Sequence, residues 1–408
     1  MGKENREYVE LKVRFGMPDG NLADESIVGR DGLVDSLWKK AEAGSLRLLS
    51  ERRMGKTWLL KLAVGRRPDW ALPMFFDLEQ VHSAPEFVWR LNRGLREVDL
   101  VSEGWWSDIE AWFRRIYQQM QGKKVGPVEM PELDSWGSLL EDTCSRFAAK
   151  CGERRGILLF DELPFFLDNL IKNGNEVHAK EVLDKLRALR YEHPALRMIF
   201  CGSLGLHIVL ARLNESGYTG QPVNDMPPFE VPPLEFEEAC FLSGCLLSGE
   251  RIPCSDLDGV AESIATESCG VPFYIQHMVS WMADSTVESW TAEHVAGVLD
   301  ELFSAHGDPA EFSYYDRRLD QYYLAGVVDV ARPTLDILSR STEGLLLDEL
   351  VNLLRHRPKT LTLDPEELLK PLRTLQNDHY LIRKDDRWRF KLEVVRKWWW
   401  EARGRLPL

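Results

Sequence analysis

The chain has 408 residues, of which 44% are hydrophobic and 28% charged, and its formal net charge is −14. This length is enough for two or three domains with buried cores, and the composition is ordinary for a globular protein. The acidic balance excludes a protein that binds nucleic acid over its whole surface. No apolar run approaches the roughly 18 residues of a membrane-spanning helix, so we expect no membrane association.

The cysteines and the N-terminus indicate a reducing compartment. Seven cysteines are an odd number, none forms a C-x-x-C pair, and most have apolar neighbours, as reduced core cysteines do. The first residues are polar and lack the apolar core of a secretion signal. We therefore expect a cytoplasmic protein with neither a disulfide framework nor a cysteine metal cluster.

The first predicted element is a polar arm, residues 1–26. It is followed by Gly29-Arg30-Asp31, which leads into apolar residues at helical spacing. Gly29 is typical of a turn and Asp31 of a helix N-cap. From these residue types alone, a ligand-binding role and a purely structural role are equally compatible with the segment.

The segment with the clearest chemistry is Ser50–Thr57, with the sequence S-E-R-R-M-G-K-T. An apolar run at 46–49 predicts a strand before it, and the residues after Thr57 predict a helix. Such a loop binds phosphate because its backbone N–H groups and the helix N-terminus point at the anion, and the lysine adds a positive charge. The usual pattern, G-x-x-x-x-G-K-[ST], has glycine where this chain has Ser50. Serine adopts positive φ only at a cost, so we expect the turn to differ there.

A second strand is predicted to end in two carboxylates. The apolar run 157–160 is followed by Asp161 and Glu162, and parallel sheets bind their ligands at this carboxyl edge. Alone, the pattern is more often a simple strand-to-helix cap. About 100 residues after Gly-Lys-Thr, we interpret it as the second half of a nucleotide site. Asp161 would then hold Mg²⁺ opposite Thr57, and Glu162 would polarise an attacking water.

Further strands are predicted at 71–77, 196–201 and 229–231, and helices between them, with a break between 122 and 131. The strand at 196–201 ends at Gly202-Ser203, where Ser203 either senses the γ-phosphate or attacking water, or only forms a turn. Arg187 and Arg190 precede that strand. They are either charge-stabilising fingers or, with the greater weight, a solvated helix face.

The C-terminal half is predicted to be mainly helical. Helical spacing extends from about 235 to 305 and includes Gly270-Val271-Pro272, where glycine ends one helix and proline opens the next. From residue 326 onward, three helices and a β-hairpin are in the order of a winged helix-turn-helix. The segment from Pro333 carries 15 Lys/Arg against 12 Asp/Glu. Trp398-Trp399-Trp400 span most of a helical turn, so one or two are expected at an interface.

Taken in order, these segments resemble the STAND and predicted archaeal-type ATPase group within the AAA+-related P-loop proteins. The stretch 312–319 also resembles the segment that such ATPases carry before the winged helix. The resemblance implies an α/β fold, a P-loop NTPase parallel sheet flanked by helices, followed by a helical lid and a winged helix-turn-helix domain. The implied boundaries are an arm at 1–26, an ATPase domain at 27–235, a lid at 236–325 and a winged helix at 326–408.

The resemblance also assigns roles to individual residues. Gly29 and Arg30 would lie beside the adenine, and Pro272 would contact the nucleotide from the lid. Lys56 and Thr57 would lie on the phosphates, and the other nucleotide-binding residues of this segment are Arg52, Arg53, Met54, Gly55 and Trp58. Thr57 and Asp161 would hold Mg²⁺, and the catalytic set is Lys56, Glu162 and Ser203. Lys391 stands where signalling members have a histidine on the β-phosphate of ADP, which makes an ADP-locked resting state less certain.

The function that the resemblance implies is that of a slow, Mg²⁺-dependent ATPase acting as a switch between ATP and ADP states. Its nucleotide state would control self-assembly or a separately encoded effector protein, in a setting such as bacterial antiviral defence. An alternative is a DNA-binding AAA+-like loader or regulator that uses the winged helix, with Arg383, Lys384 and Arg387 on its hairpin. A third is a scaffold that binds nucleotide without turnover.

Overall fold

The computed structural model of the protein describes residues 7–15, 27–100, 102–120, 136–357, 360 and 363–404. The chain divides into two compact units. The sheet unit comprises 32–50 and 56–231, and the helical unit comprises 1–31, 51–55 and 232–408. Within the described ranges, no helix has the length and apolar character needed to cross a membrane.

The sheet unit is built on five parallel strands: β1 (Leu46–Leu49), β2 (Ala71–Asp77), β3 (Arg155–Asp161), β4 (Leu196–Phe200) and β5 (Pro228–Glu230). Their order is β2-β3-β4-β1-β5, and every neighbouring pair is parallel. The predicted parallel sheet is confirmed, with the predicted strand limits correct to within two residues. The interior strand β3 is buried at every position after its first, which explains its uninterrupted apolar run.

Eight helices flank this sheet in the described part of the chain. They are α1 (Asp31–Ala43), α2 (Lys56–Gly65), α3 (Ala84–Glu97), α4 (Glu103–Met120), α5 (Trp136–Cys151), α6 (Leu163–Lys172), α7 (Glu176–Glu192) and α8 (Leu206–Glu215). The break predicted between 122 and 131 lies outside the described residues. Each helix has a buried apolar face, for example Leu59, Leu60 and Leu62 on α2.

The strand order brings three chain segments to one edge of the sheet. β4 lies between β1 and β3, and all three strands are parallel. The loop after β1, the Asp161-Glu162 end of β3 and the Gly202-Ser203 end of β4 therefore emerge at the same carboxyl edge. This is the arrangement that the sequence predicts for the candidate site.

The helical unit begins its main run with α9 (Phe236–Glu250), α10 (Leu257–Glu267), α11 (Pro272–Asp284), α12 (Ala292–Ser304) and α13 (Tyr314–Tyr322). The predicted arm contributes residues 7–15 to this unit. The Leu11 N–H donates to the Cys245 carbonyl on α9 over 3.1 Å, and a Cβ at Gly249 would overlap the Leu11 backbone. The small residues of α9 therefore let the N-terminal segment approach its surface.

The chain ends with α14 (Ala325–Leu338), α15 (Leu347–Leu354), α16 (Pro365–Asn377), a hairpin of β6 (Leu381–Lys384) and β7 (Arg387–Phe390), and α17 (Glu393–Trp399). Three helices followed by a hairpin match the predicted order of elements, while the winged-helix assignment stays a prediction. Trp398 and Trp399 are buried core residues of this unit, and Trp399 Nε1 donates to Asp336 over 2.9 Å. Of the three tryptophans, Trp400 alone is only partly buried, so the predicted interface position applies to Trp400 only.

Candidate functional site

The sheet unit contains Lys56, the lysine of the phosphate loop. It is the first residue of α2 and is 7% exposed. Its Nζ lies 3.2 Å from the carbonyl oxygen of Ser50, so the side chain folds back over the loop. The first turn of a helix has N–H groups without intrahelical acceptors, and these favour an anion beside the lysine.

Thr57 and Asp161 bring the ends of two chain segments into direct contact. The Thr57 hydroxyl donates to Asp161 Oδ2 over 2.6 Å, although the two residues are 104 positions apart. Asp161 is the last residue of β3 and is 2% exposed. A hydroxyl and a carboxylate are the oxygen donors that Mg²⁺ takes beside phosphate and water oxygens, so this pair fits the predicted metal position.

Glu162 has a left-handed backbone conformation, with φ of 57°. Its carboxylate accepts hydrogen bonds from the Ser203 N–H at 2.9 Å and the Ser203 hydroxyl at 3.0 Å. Burial raises the pKa of Glu162, the charge of Asp161 raises it further, and the Ser203 hydrogen bonds oppose this shift. A Cβ at Gly202 would collide with Pro164, so this glycine allows the close approach. Ser203 thus holds the Glu162 carboxylate, a role that the sequence did not suggest.

The loop residues Glu51–Gly55 belong to the helical unit, unlike Ser50 and Lys56 on either side. Positive φ falls at Arg53 (78°) and Gly55 (80°), and Ser50 is not among the positive-φ residues. The turn therefore differs from the usual pattern as expected, but Arg53 takes the left-handed conformation. For a non-glycine residue that conformation costs about 1–2 kcal/mol.

Arg52 and Arg53 are held by residues that the sequence did not single out. The Arg53 guanidinium lies 3.9 Å from the ring centre of Phe273, and that of Arg52 lies 4.2 Å from the ring centre of Tyr314. Both arginines form ion pairs with Glu311. Burial lowers the pKa of Arg53 to about 10, and the charge of Arg52 adds to this shift.

Glu51 lies in a buried polar contact beside these arginines. It is 3% exposed, and the Tyr315 hydroxyl on α13 donates to its carboxylate. The Tyr315 hydroxyl also lies 3.1 Å from that of Tyr274 on α11. Burial, with the charge of Glu51 second, raises the pKa of Tyr315. The one available sequence signal was that Tyr315 lies in the family-like stretch 312–319.

Gly29 and Arg30 meet the segment that leads into α9. Arg30 is 4% exposed and donates to the carbonyl oxygens of Pro232 and Met54, both over 2.9 Å. Burial lowers its pKa to about 10. Gly29 has φ of 70°, and a Cβ there would lie 2.7 Å from Glu238. The Arg30 guanidinium therefore links the backbone at Pro232 to the backbone at Met54.

Pro272 follows Gly270, and Gly270 is the residue that contacts the same segment. The Leu234 N–H donates to the Gly270 carbonyl over 2.9 Å, and Gly270 has φ of 68°, where a Cβ would lie 2.5 Å from the Leu234 carbonyl oxygen. Pro272 is the first residue of α11. The structure therefore gathers Gly29, Arg30 and the Gly270–Pro272 turn around residues 232–238.

The remaining candidates have local partners. Trp58 lies half-buried below the Lys61 amine, 4.9 Å away, and Lys391 Nζ lies 3.2 Å from His379 Nδ1. Arg190 is buried and pairs with Asp225 through two hydrogen bonds of 2.9 and 2.8 Å. Both interpretations of Arg190, as a finger and as a solvated residue, are wrong, because the loop at 222–225 covers it.

No family model and no curated protein matches the sequence. Among solved structures, the chain is similar to a Walker-type ATPase of Pyrococcus abyssi, with a TM-score of 0.60, 14% identity, and coverage of 92% of this chain and 96% of that one. It is also similar to the ORC2 protein of Aeropyrum pernix in ADPNP–ADP complexes, with a TM-score of 0.52, 12% identity, and coverage of 98% and 97%. At these identities the comparisons show the fold, which is the P-loop ATPase fold predicted from the sequence.

Proposed function

We propose that this protein is an ATP-binding switch of the STAND/AAA+-like type that hydrolyses ATP slowly with Mg²⁺. The observation that carries this proposal is the 2.6 Å contact between Thr57 and Asp161, with Lys56 and Glu162 as their chain neighbours. It joins the end of the phosphate loop to a strand-end carboxylate at the edge where parallel sheets bind ligands. The ADPNP and ADP complexes of the ORC2 protein, which shares the fold, support nucleotide as the ligand.

The residues of the sheet unit divide the chemistry between them. Lys56 neutralises phosphate charge, and Thr57 and Asp161 hold Mg²⁺, which when bound polarises the phosphate oxygens. Glu162 orients the attacking water and takes its proton. Ser203 keeps the Glu162 carboxylate in one orientation through two donors. The three residues Lys56, Glu162 and Ser203 form the proposed catalytic set.

The other residues assigned to the nucleotide belong to the helical unit, except Trp58 of the sheet unit. Gly29, Arg30 and Pro272 are assigned to the base, and the contacts of Gly29, Arg30 and Gly270 with residues 232–238 support a shared role. The loop residues Arg52, Arg53, Met54 and Gly55, with Trp58, surround the phosphates. Lys391 contacts the phosphates in one nucleotide state.

A chain of buried contacts supports a switch over a passive scaffold. The Tyr315 hydroxyl donates to Glu51 in the loop, and its backbone carbonyl accepts from the Tyr380 hydroxyl over 2.7 Å. Arg318, one turn along α13, forms a buried ion pair with Asp378. Contiguous networks of this kind carry coupling between sites. The nucleotide state would thereby reach the C-terminal hairpin and control assembly or an effector protein, in the cytoplasm and in a defence setting.

DNA binding through the hairpin is the second candidate. Lys384 and Arg383 are exposed on β6, as a DNA contact requires. However, Arg383 pairs with Asp386 and Arg387 pairs with Glu349. Two of the three cations therefore have carboxylate partners, which is why we rank this function below the switch.

Substituting Lys56→Ala tests the proposed site. Removing the buried amine should weaken ATP and ADP binding about 100-fold or more, because a charge-assisted phosphate contact is lost in a protected position. Isothermal titration calorimetry with each nucleotide and Mg²⁺ measures the change. The matched control is Lys39→Ala, an exposed lysine of the same unit. Wild-type affinity in the Lys56→Ala protein would rule out the assigned site.

A further inference from the structure

One acidic residue, Glu311, lies between the two arginines of the phosphate loop. We propose that Glu311 is a positioning residue whose carboxylate occupies the place of a phosphate oxygen between Arg52 and Arg53, and that bound nucleotide competes with it. The proposal rests on the proposed nucleotide function of Ser50–Thr57 and specifies how that site is regulated. All the contacts that it uses lie within the helical unit.

The turn that carries Glu311 has a fixed conformation. Asp308 and Glu311 both have left-handed backbone, with φ of 49° and 52°. The Asp308 carboxylate accepts from the N–H groups of Phe312 and Ser313, over 2.8 and 2.9 Å. The Phe312 side chain is fully buried and therefore anchors the turn in the core of the helical unit. The turn that places Glu311 against the loop therefore retains two unfavourable backbone conformations, at Asp308 and at Glu311.

Aromatic rings hold both arginines in position for the carboxylate. Phe273 lies against the guanidinium of Arg53 and Tyr314 against that of Arg52. The stacked, planar groups keep their donors at the edges, where an anion binds. Two cations share one carboxylate in this cluster. Because the Arg53 side chain is only 19% exposed, its attraction for the anion at that edge, carboxylate or phosphate, is weakly screened by water.

The carboxylate is able to leave when a stronger anion arrives. Its side chain is 43% exposed, whereas that of Arg53 is only 19% exposed. Arg53 is also three residues before Lys56 in the chain, a span of at most about 11 Å, and both are assigned to the nucleotide in the proposed function. Displaced Glu311 would return to water and release the turn that leads directly into α13. Nucleotide binding is thereby linked to the segment that contacts the C-terminal hairpin.

The substitution Glu311→Gln tests this competition. Glutamine retains the shape but lacks the charge, so ATP and ADP should bind about tenfold more tightly than to wild type. A residue with a purely structural role would give unchanged or weaker binding. The control Glu288→Gln makes the same charge change at an exposed glutamate of the same unit. In an Arg53→Gln background the gain from Glu311→Gln should disappear, because the competition requires the arginine.

Calorimetric titration of the full chain with ATP and ADP separates the outcomes. Tighter binding confined to Glu311→Gln, or binding seen in that variant alone, supports both the competition and the nucleotide site. Unchanged or weaker binding in a folded Glu311→Gln protein overturns the competition, while a loss in Lys56→Ala still upholds the site. If neither wild type nor Glu311→Gln binds nucleotide, the proposed function fails and this inference fails with it.

Discussion

The two parts of the phosphate loop contact different kinds of residues. Lys56 and Thr57 belong to the sheet unit, where Thr57 contacts Asp161 at the end of a buried strand. Glu51–Gly55 belong to the helical unit, where aromatic rings, a tyrosine hydroxyl and Glu311 hold them. Lys56 and Thr57, the chemical part, carry the proposed phosphate chemistry, and Glu51–Gly55, the sensor part, carry the proposed coupling contacts. An eight-residue segment thus has two separable roles.

The separation can be tested first at the Arg318–Asp378 ion pair, which is buried in the helical unit. Arg318 and Asp378 have side-chain exposures of 3% and 2%, and Asp378 also accepts from Tyr323 over 2.8 Å. Asp378→Asn leaves the Arg318 charge buried without a counter-ion, so the helical unit should lose about 3–5 kcal/mol of stability. Hydrogen exchange should show lost protection in α13 and α16.

Hydrogen exchange of the Asp378→Asn protein also reports on the sheet unit, which serves as an internal comparison. Amides of β3 in the sheet unit should keep their protection, because none of the Asp378 partners lies there. Asp385→Asn is the control, since Asp385 is exposed in the hairpin turn and asparagine tolerates its positive φ of 50°. Equal loss of protection in both units would show that the units do not separate as described.

The proposed phosphate chemistry is tested by Glu162→Gln. The amide retains the size of the side chain but cannot accept a proton, so ATP hydrolysis should fall about 100-fold or more. Nucleotide affinity should stay within about twofold, because binding is assigned to the loop. Steady-state phosphate release and calorimetry measure the two quantities on one preparation.

The control for this variant is Glu181→Gln, an exposed glutamate on α7 of the same unit. It should hydrolyse ATP at the wild-type rate. Wild-type hydrolysis in the Glu162→Gln protein would contradict the catalytic role and favour a scaffold that binds nucleotide without turnover.

The sheet and its edge were predictable from the sequence because their signals are local. The apolar run of β3 predicts a buried strand. The carboxylates that follow it mark the end of the strand that reaches the carboxyl edge of the sheet. Gly55 fits the same kind of local signal, since glycine adopts its φ of 80° without the cost that other residues incur. The Thr57–Asp161 contact then follows from the parallel topology.

The partners of the sensor part were not predictable, because each comes from a distant part of the chain. Glu51 and Tyr315 are 264 positions apart, and no periodicity or spacing connects such a pair. Arg190 shows the same limit at shorter range, because its partner Asp225 lies in a loop 35 positions away. Helical spacing shows which face of a helix is apolar, but it does not show which loop covers a charged residue.

The smallest predicted effect concerns Ser203, which the sequence left as either a sensor or a turn. Its hydroxyl donates to the ionised Glu162 carboxylate and so lowers a pKa that burial raises. Ser203→Ala removes that donor, so the pKa of Glu162 should rise further. A base must be ionised to act, and the acidic limb of the hydrolysis rate should therefore move to higher pH.

The pH profile distinguishes this positioning role from a γ-phosphate sensor. Ser203→Thr retains the hydroxyl and should restore the wild-type limb, whereas loss of a phosphate contact would change the Michaelis constant for ATP at every pH. At a pH below the limb, Ser203→Ala should be slower than wild type, and well above it nearly as fast. If the acidic limb of the rate does not shift in Ser203→Ala, the hydroxyl has no positioning role and Ser203 is only a turn residue. Its backbone N–H would then be the donor that holds Glu162.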